Sequence, residues 1–185
     1  MAGHSKWAQI KRAKAVTDQA RSKTFGRLAR VITLESKKAA GNLSSPSLQS
    51  AIQRAKEANM PKDNIERAIA KGTSKEASDL ETVTYECYGP GGSALIATAV
   101  TDNRNRTTQE IKHLLSKNGY ELAAPGSAMW AFTKSPDGSF SPNEPLVDLT
   151  SEDEQKLFEL LDLFDEHDDV QDTYTNVRGY EDSRD

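Results

Sequence analysis

Sulfur, aromatic rings and long apolar runs are all scarce in this chain. Its 185 residues include one cysteine, Cys87, which excludes an internal disulfide and the disulfide-stapled secreted class and fits a reducing cytosol. No apolar run approaches the roughly 20 residues that cross a bilayer, so no membrane partner is expected. The segment from Trp7 to Val16 lacks the apolar stretch that a secretory signal puts after its basic start. Gly3 stands one place too late for N-myristoylation. The three histidines, His4, His113 and His167, make no i, i+4 pair, and no Cys-x-x-Cys is present. We therefore expect no metal and no cofactor.

Catalytic constellations are missing too. Gly89-Pro90-Gly91-Gly92 lacks the Gly-Lys-Ser/Thr ending of a phosphate loop and reads as a turn between two strands. Cys87 falls at an inward strand position, where a buried hydrophobe is expected rather than a nucleophile. Glu152, Asp153 and Glu154 read as first-turn partners of a helix dipole. The expectation is a non-enzymatic protein without a small-molecule substrate.

Charge is abundant and segregated. The net charge is −4, yet residues 1–75 hold 16 Lys and Arg against 5 Asp and Glu, and residues 76–185 hold 8 against 23. An excess of +11 followed by one of −15 suggests one end that binds polyanions and one that repels them.

Apolar spacing predicts an α+β fold: a basic N-terminal three-helix domain over 1–75, then an α/β sandwich over 81–177 with a mainly antiparallel sheet. Residues 1–16 read as an extended arm and 178–185 as a flexible tail. Helices are expected over 18–40, 47–58 and 63–72, the last closed by Gly72. Strands are expected over 82–88, 93–101, 127–133, 146–149 and 170–177, with 135–145 a loop. Two more helices are expected. One covers 106–118, with Thr107 and Glu110 as a capping box. The other covers 151–166, with Ser151 and Glu154 in the same roles.

The opening MAGHSKWAQIKRAKA interleaves Lys6, Lys11, Arg12 and Lys14 with Trp7 and contains no acid. Such cations displace counterions from phosphates. Trp7 either stacks on a splayed base or anchors the arm to the helices with Ile10. Arg21, Lys23, Arg27 and Arg30 extend the basic character along the first helix. In a second basic stretch, TDNRNRT at 101–107, Asp102, Asn103 or Asn105 can cap a helix, but Arg104 and Arg106 stand at its start, where cations oppose the dipole. They require another partner, either inside the molecule on the acidic half or outside on RNA, and internal pairing is the preferred reading.

MAGHSKW, ANMPKDNIERAI at 58–69, TYECYGPGG at 84–92 and TDNRNRT closely resemble the YebC family, which includes the mitochondrial translational activator of cytochrome c oxidase. The acidic C-terminal run ending in DDVQ resembles the end of that family as well. The resemblance implies a basic helical domain, an α+β domain and a third domain inserted after the strand matching Ser127–Thr133. Here only Lys134–Pro145 stands in that place, so the chain resembles a short form. Gln9, Arg12-Ala13 and Thr175 also depart from the family's usual Asn, His-Arg and nearby His. Family members are described both as transcription regulators and as ribosome-associated translation factors that ease difficult stretches such as proline runs. The expected function is the second: a cytoplasmic monomer binding ribosomal or transfer RNA through Lys6, Trp7, Lys11, Arg12, Lys14, Arg21, Lys23, Arg27 and Arg30. The alternatives are a regulator that binds duplex DNA and a protein-interaction adaptor using the acidic helix at 151–166.

Overall fold

The computed structural model describes residues 18–77, 79–136 and 138–180. Three helices come first: α1 (Asp18–Lys38), α2 (Pro46–Glu57) and α3 (Lys62–Gly72). Pro46 opens α2, where its missing N–H and fixed φ cost nothing. Apolar residues spaced three and four apart bring Ile32 of α1 against Leu48, Ala51 and Ala55 of α2 and Ile65 and Ala68 of α3. Gly72 closes its helix, as the sequence predicts, but without a left-handed turn. It is the last residue of α3 and lies against α1, where a Cβ would stand 2.5 Å from both Ser36 Cβ and the Thr33 carbonyl oxygen. That approach lets the Thr33 and Ser36 hydroxyls donate to the Ala68 and Ile69 carbonyls, at 3.1 and 2.7 Å.

The remainder is an α+β unit. β1 (Glu81–Tyr88), β2 (Ala94–Thr101) and β5 (Val170–Thr175) form an antiparallel sheet in the order β1-β2-β5. The register runs from Glu81 opposite Thr101 to Tyr88 opposite Ala94, and Leu95 lies opposite Thr175. The central β2, ALIATAVT, is buried along its whole length, as its largely apolar run, interrupted only by Thr98 and Thr101, favours. α4 (Arg104–Lys117) and α5 (Ser151–Glu166) cover one face, packing Ile111, Leu115, Leu157 and Leu160 onto Val83, Tyr85, Cys87 and Leu95. On the other face Ala94 and Ile96 meet Ala128, Ala131, Phe132 and Phe140. The expected fold class, N-terminal helices followed by a mainly antiparallel α+β unit, is the one observed.

Local expectations change at five places. Residues 127–133 are not a strand of the main sheet: a short turn of helix at Met129–Ala131 leads into β3 (Phe132–Lys134), which pairs with β4 (Phe140–Pro142) in a separate hairpin. The expected loop at 135–145 therefore contains a strand. Segment 146–149 contributes only an isolated bridge between Val147 and Val177. Neither expected capping box forms. Asn103, one of the three cap candidates in the sequence, caps α4 by accepting from the Arg106 N–H, and Thr150 caps α5 by accepting from the Asp153 N–H. Finally, Arg178 and Tyr180 belong to the folded unit, with Arg178 paired to Asp148 at 2.9 Å and Tyr180 packed on Phe158.

Candidate nucleic-acid interface

The cations of α1 lie on more than one side of the helix. Arg21 is exposed. Lys23, Arg27 and Arg30, spaced four and three apart, share the stripe that faces the C-terminal end of α5. Helix α5 has Glu152, Asp153 and Glu154 in its first turn and no basic residue in its last. Its C-terminal carbonyls therefore carry an uncompensated partial negative charge. α1 supplies the cations. Lys23 donates to the Glu166 carbonyl, Arg27 to the Asp165 and His167 carbonyls, and Arg30 to the Asp168 carbonyl at 3.0 Å. Arg27 also pairs with the Asp165 carboxylate at 2.8 Å. These three residues, assigned to nucleic acid by sequence, hold the helical half on the α+β half. The acidic end of α5 likewise finds its partner within the chain.

Asp169 is the centre of this seam. Its side chain is buried and accepts from Thr107 Oγ1 at 2.7 Å, from Arg106 at 2.8 Å and from Arg30. Burial alone would raise the carboxyl. The hydrogen bonds from Thr107 and Arg106 and the charges of Arg30 and Arg106 outweigh it and hold Asp169 below its ordinary value. The Asp169 hydrogen bond in turn raises Arg106, with Asp102 and Glu110 adding to it. Arg106 thus takes the internal partner anticipated for it. Arg104 lies 4.0 Å from Glu81 on the surface.

Glu110, His167 and Asp169 place ligand-type atoms within 4.8 Å of one another. Their lone pairs are committed: His167 Nε2 meets Glu110 at 3.1 Å, its Nδ1 accepts from the Asp169 N–H, and Asp169 serves two arginines and a threonine. Two guanidinium groups, Arg30 and Arg106, line the same hollow, and their charge opposes a cation there.

A larger cleft, about 600 Å³, opens between the two halves. Phe25 and Met60 form its apolar wall, and Asn64, Arg67 and Lys71 project from α3 at its rim. The sequence reading passed over these α3 residues. Their spacing, Asn64–Arg67–Lys71 at three and four, was the available signal for one shared face. Two acids are exposed on the same helix, Glu66 and Asp63, the latter four residues before Arg67 and beside it. Lys6, Trp7, Lys11, Arg12 and Lys14 lie outside the described residues.

Residues 5–75 match the family model described as the TACO1/YebC protein N-terminal domain, and residues 80–137 match the TACO1/YebC second and third domain. A probable transcriptional regulatory protein of Carboxydothermus hydrogenoformans is 37% identical over 239 aligned positions, which cover 95% of this chain and 98% of that protein. One from Fervidobacterium nodosum is 49% identical over 136 residues, 72% of this chain and 54% of that protein, so the chain spans about half of that relative's length. The crystal structure of a conserved hypothetical protein from Aquifex aeolicus superposes with a TM-score of 0.78 at 30% identity, covering 87% of this chain and 91% of that one. The 239-position alignment exceeds the 185 residues present here, so that relative carries additional residues. The second family match stops at residue 137, between β3 and β4 in sequence. In sequence, domain order and three-dimensional structure alike, this chain belongs to the TACO1/YebC family.

Proposed function

We propose that this chain is a non-enzymatic, nucleic-acid-binding regulator of gene expression that presents its basic N-terminal half to the polyanion. The observation that carries the reading is the +11 excess of residues 1–75, of which only part is consumed by the seam with α5. The nucleic-acid surface is formed by Lys6, Trp7, Lys11, Arg12 and Lys14 of the arm with Arg21. Lys23, Arg27 and Arg30 support it indirectly by fixing the orientation of α1. The net negative charge of the second half turns the protein basic end first as it approaches a polyanion.

Transcriptional regulation is the form of this activity that the names of the relatives favour. A second reading, binding of ribosomal or transfer RNA during translation, rests on the placement of α3. A helix that reads duplex DNA must protrude into a major groove about 12 Å wide. The basic side of α3 instead borders a cleft shared with Leu80 and Asp102, with the acid Asp63 beside Arg67. That arrangement suits a bent or single strand better than a straight duplex.

Ribosome co-sedimentation with excess duplex DNA as competitor tests both forms. Binding that survives the competitor supports the translational form, and binding stripped by duplex DNA supports the transcriptional one. In either case the Lys11/Arg12/Lys14→Glu variant should lose affinity and flatten the salt dependence, by roughly 0.7 to 0.9 in logarithmic slope per lost phosphate contact. An unchanged affinity and slope in that variant would refute the assignment of the arm.

A further inference from the structure

Trp130 is 64% exposed and Tyr88 40% exposed, and the two are joined. The Trp130 indole N–H donates to the Tyr88 hydroxyl oxygen at 3.1 Å, and that hydroxyl donates to the Ser127 carbonyl. The loop behind them is fixed by a buried charge. Glu86, 4% exposed, points away from the helix-covered face of the sheet. Its two oxygens accept from the N–H groups of Gly126, Ala128 and Met129 at 2.6, 2.7 and 2.9 Å. Holding a carboxylate in the interior is costly unless it is fully hydrogen-bonded. Here the result of that arrangement is a rigid loop that displays an indole to solvent. Asn143 ties down the other side, with its backbone N–H on the Ala131 carbonyl and its side chain on the Trp130 carbonyl.

The chemistry left open is specific. Both polar hydrogens of the pair are already used, so the surface offers π faces and little else. A polyproline-type peptide has a solvated backbone with carbonyls that need donors. The indole N–H that would serve them is occupied by Tyr88. A nucleobase needs only a face on which to stack. Charge nearby is consistent with a strand. Lys134 is four residues along, at most about 14 Å away. It borders a crevice of about 320 Å³ between β1, the hairpin and the helical half, where Lys38 and Arg54 join it against Glu35 and Asp172.

We propose that Trp130, edge-locked by Tyr88 and the Glu86-held loop, is a stacking platform for an unpaired base of a single-stranded nucleic acid, whose backbone runs toward Lys134. This rests on the nucleic-acid reading above and adds a second contact on the opposite half of the molecule.

The chain has two tryptophans, so the part of the indole signal that is lost in Trp130→Phe reports Trp130. Titration of the unmodified chain with oligouridylate and with oligothymidylate should quench that part saturably. Trp130→Ala should weaken oligonucleotide binding, followed by anisotropy, about 5- to 150-fold, while Trp130→Phe should retain most of it. Because Trp130 is exposed, thermal unfolding should show the alanine variant folded. Oligonucleotide binding that neither quenches Trp130 nor weakens in Trp130→Ala would overturn the proposal, as would quenching by oligoproline alone. If Lys11/Arg12/Lys14→Glu abolishes that same binding, the nucleic-acid reading stands without the platform. If the unmodified chain binds no nucleic acid, both fail.

Discussion

Replacing Asp169 by Asn removes the charge on which Arg30, Arg106 and Thr107 converge while keeping the side-chain volume. The amide nitrogen of Asn then faces donors rather than accepting from them. Neutralising one partner of a fully buried ion pair costs about 3–5 kcal/mol. Here the arginines are 39% and 44% exposed and regain water, and Arg106 keeps Asp102 and Glu110. The Thr107 hydroxyl is buried but keeps the Thr101 hydroxyl at 2.8 Å. We therefore expect a loss of about 2–3 kcal/mol, near the value of one or two charge-assisted hydrogen bonds. At roughly 2–4 °C per kcal/mol for a chain of this size, the melting temperature should fall by about 4–12 °C. Urea unfolding of both proteins across pH adds a sharper check. The folded-state pKa of Asp169 is depressed, so its contribution is fully present above the unfolded value of about 3.9 and is lost as pH falls through the folded value. The difference between the two proteins should be full near neutrality and shrink below about pH 4. A difference under about 0.5 kcal/mol at neutral pH, the scatter of ordinary surface changes, would refute the argument that Asp169 anchors the seam.

Gly72→Ala should destabilise the helical half by about 1–3 kcal/mol, because the new methyl meets Ser36 and the Thr33 carbonyl at 2.5 Å; an unchanged urea midpoint would contradict this. Burial pushes the Cys87 thiol up to about 12, so a thiol-specific disulfide reagent should label it at neutral pH only as fast as the fold opens. Glu86→Gln should cost about 1–3 kcal/mol by turning an amide group toward three N–H donors, and should shift the Trp130 emission as its loop loosens. Joint replacement of Lys23, Arg27 and Arg30 by Ala should expose the 165–169 segment to proteolysis, which a time course on gels would reveal.

Periodicity made most of the elements readable. Phe25, Leu28 and Ile32 marked the buried side of α1, and Val83, Tyr85 and Cys87 marked the helix-covered face of β1. Segment 127–133 misled because its apolar, aromatic composition suits a strand, while the grip of Glu86 on three of its neighbouring N–H groups bends it into a turn first. No local pattern announces that grip, since Glu86 lies 40 residues earlier and alternates like any strand residue. The internal partners of the α1 cations were hidden for a related reason. Lys23, Arg27 and Arg30 form a stripe that any polyanion could use, and only the run DEHDD at 165–169 hinted at an internal one. Arg104 and Arg106 were easier, because cations at a helix start demand a partner.

The seam between α1 and the end of α5 also has a consequence in time. Its partners are 138 to 143 residues apart in sequence. At about 5–20 residues per second, α1 is synthesised roughly 7–30 s before the carbonyls that it will cap. Throughout that interval the nascent helix carries three cations with no DEHDD segment to receive them, beside the RNA of the ribosome that is making it. Completion of α5 withdraws those cations from competition. The finished protein thus displays three fewer unengaged cations on α1 than its own growing N-terminal half.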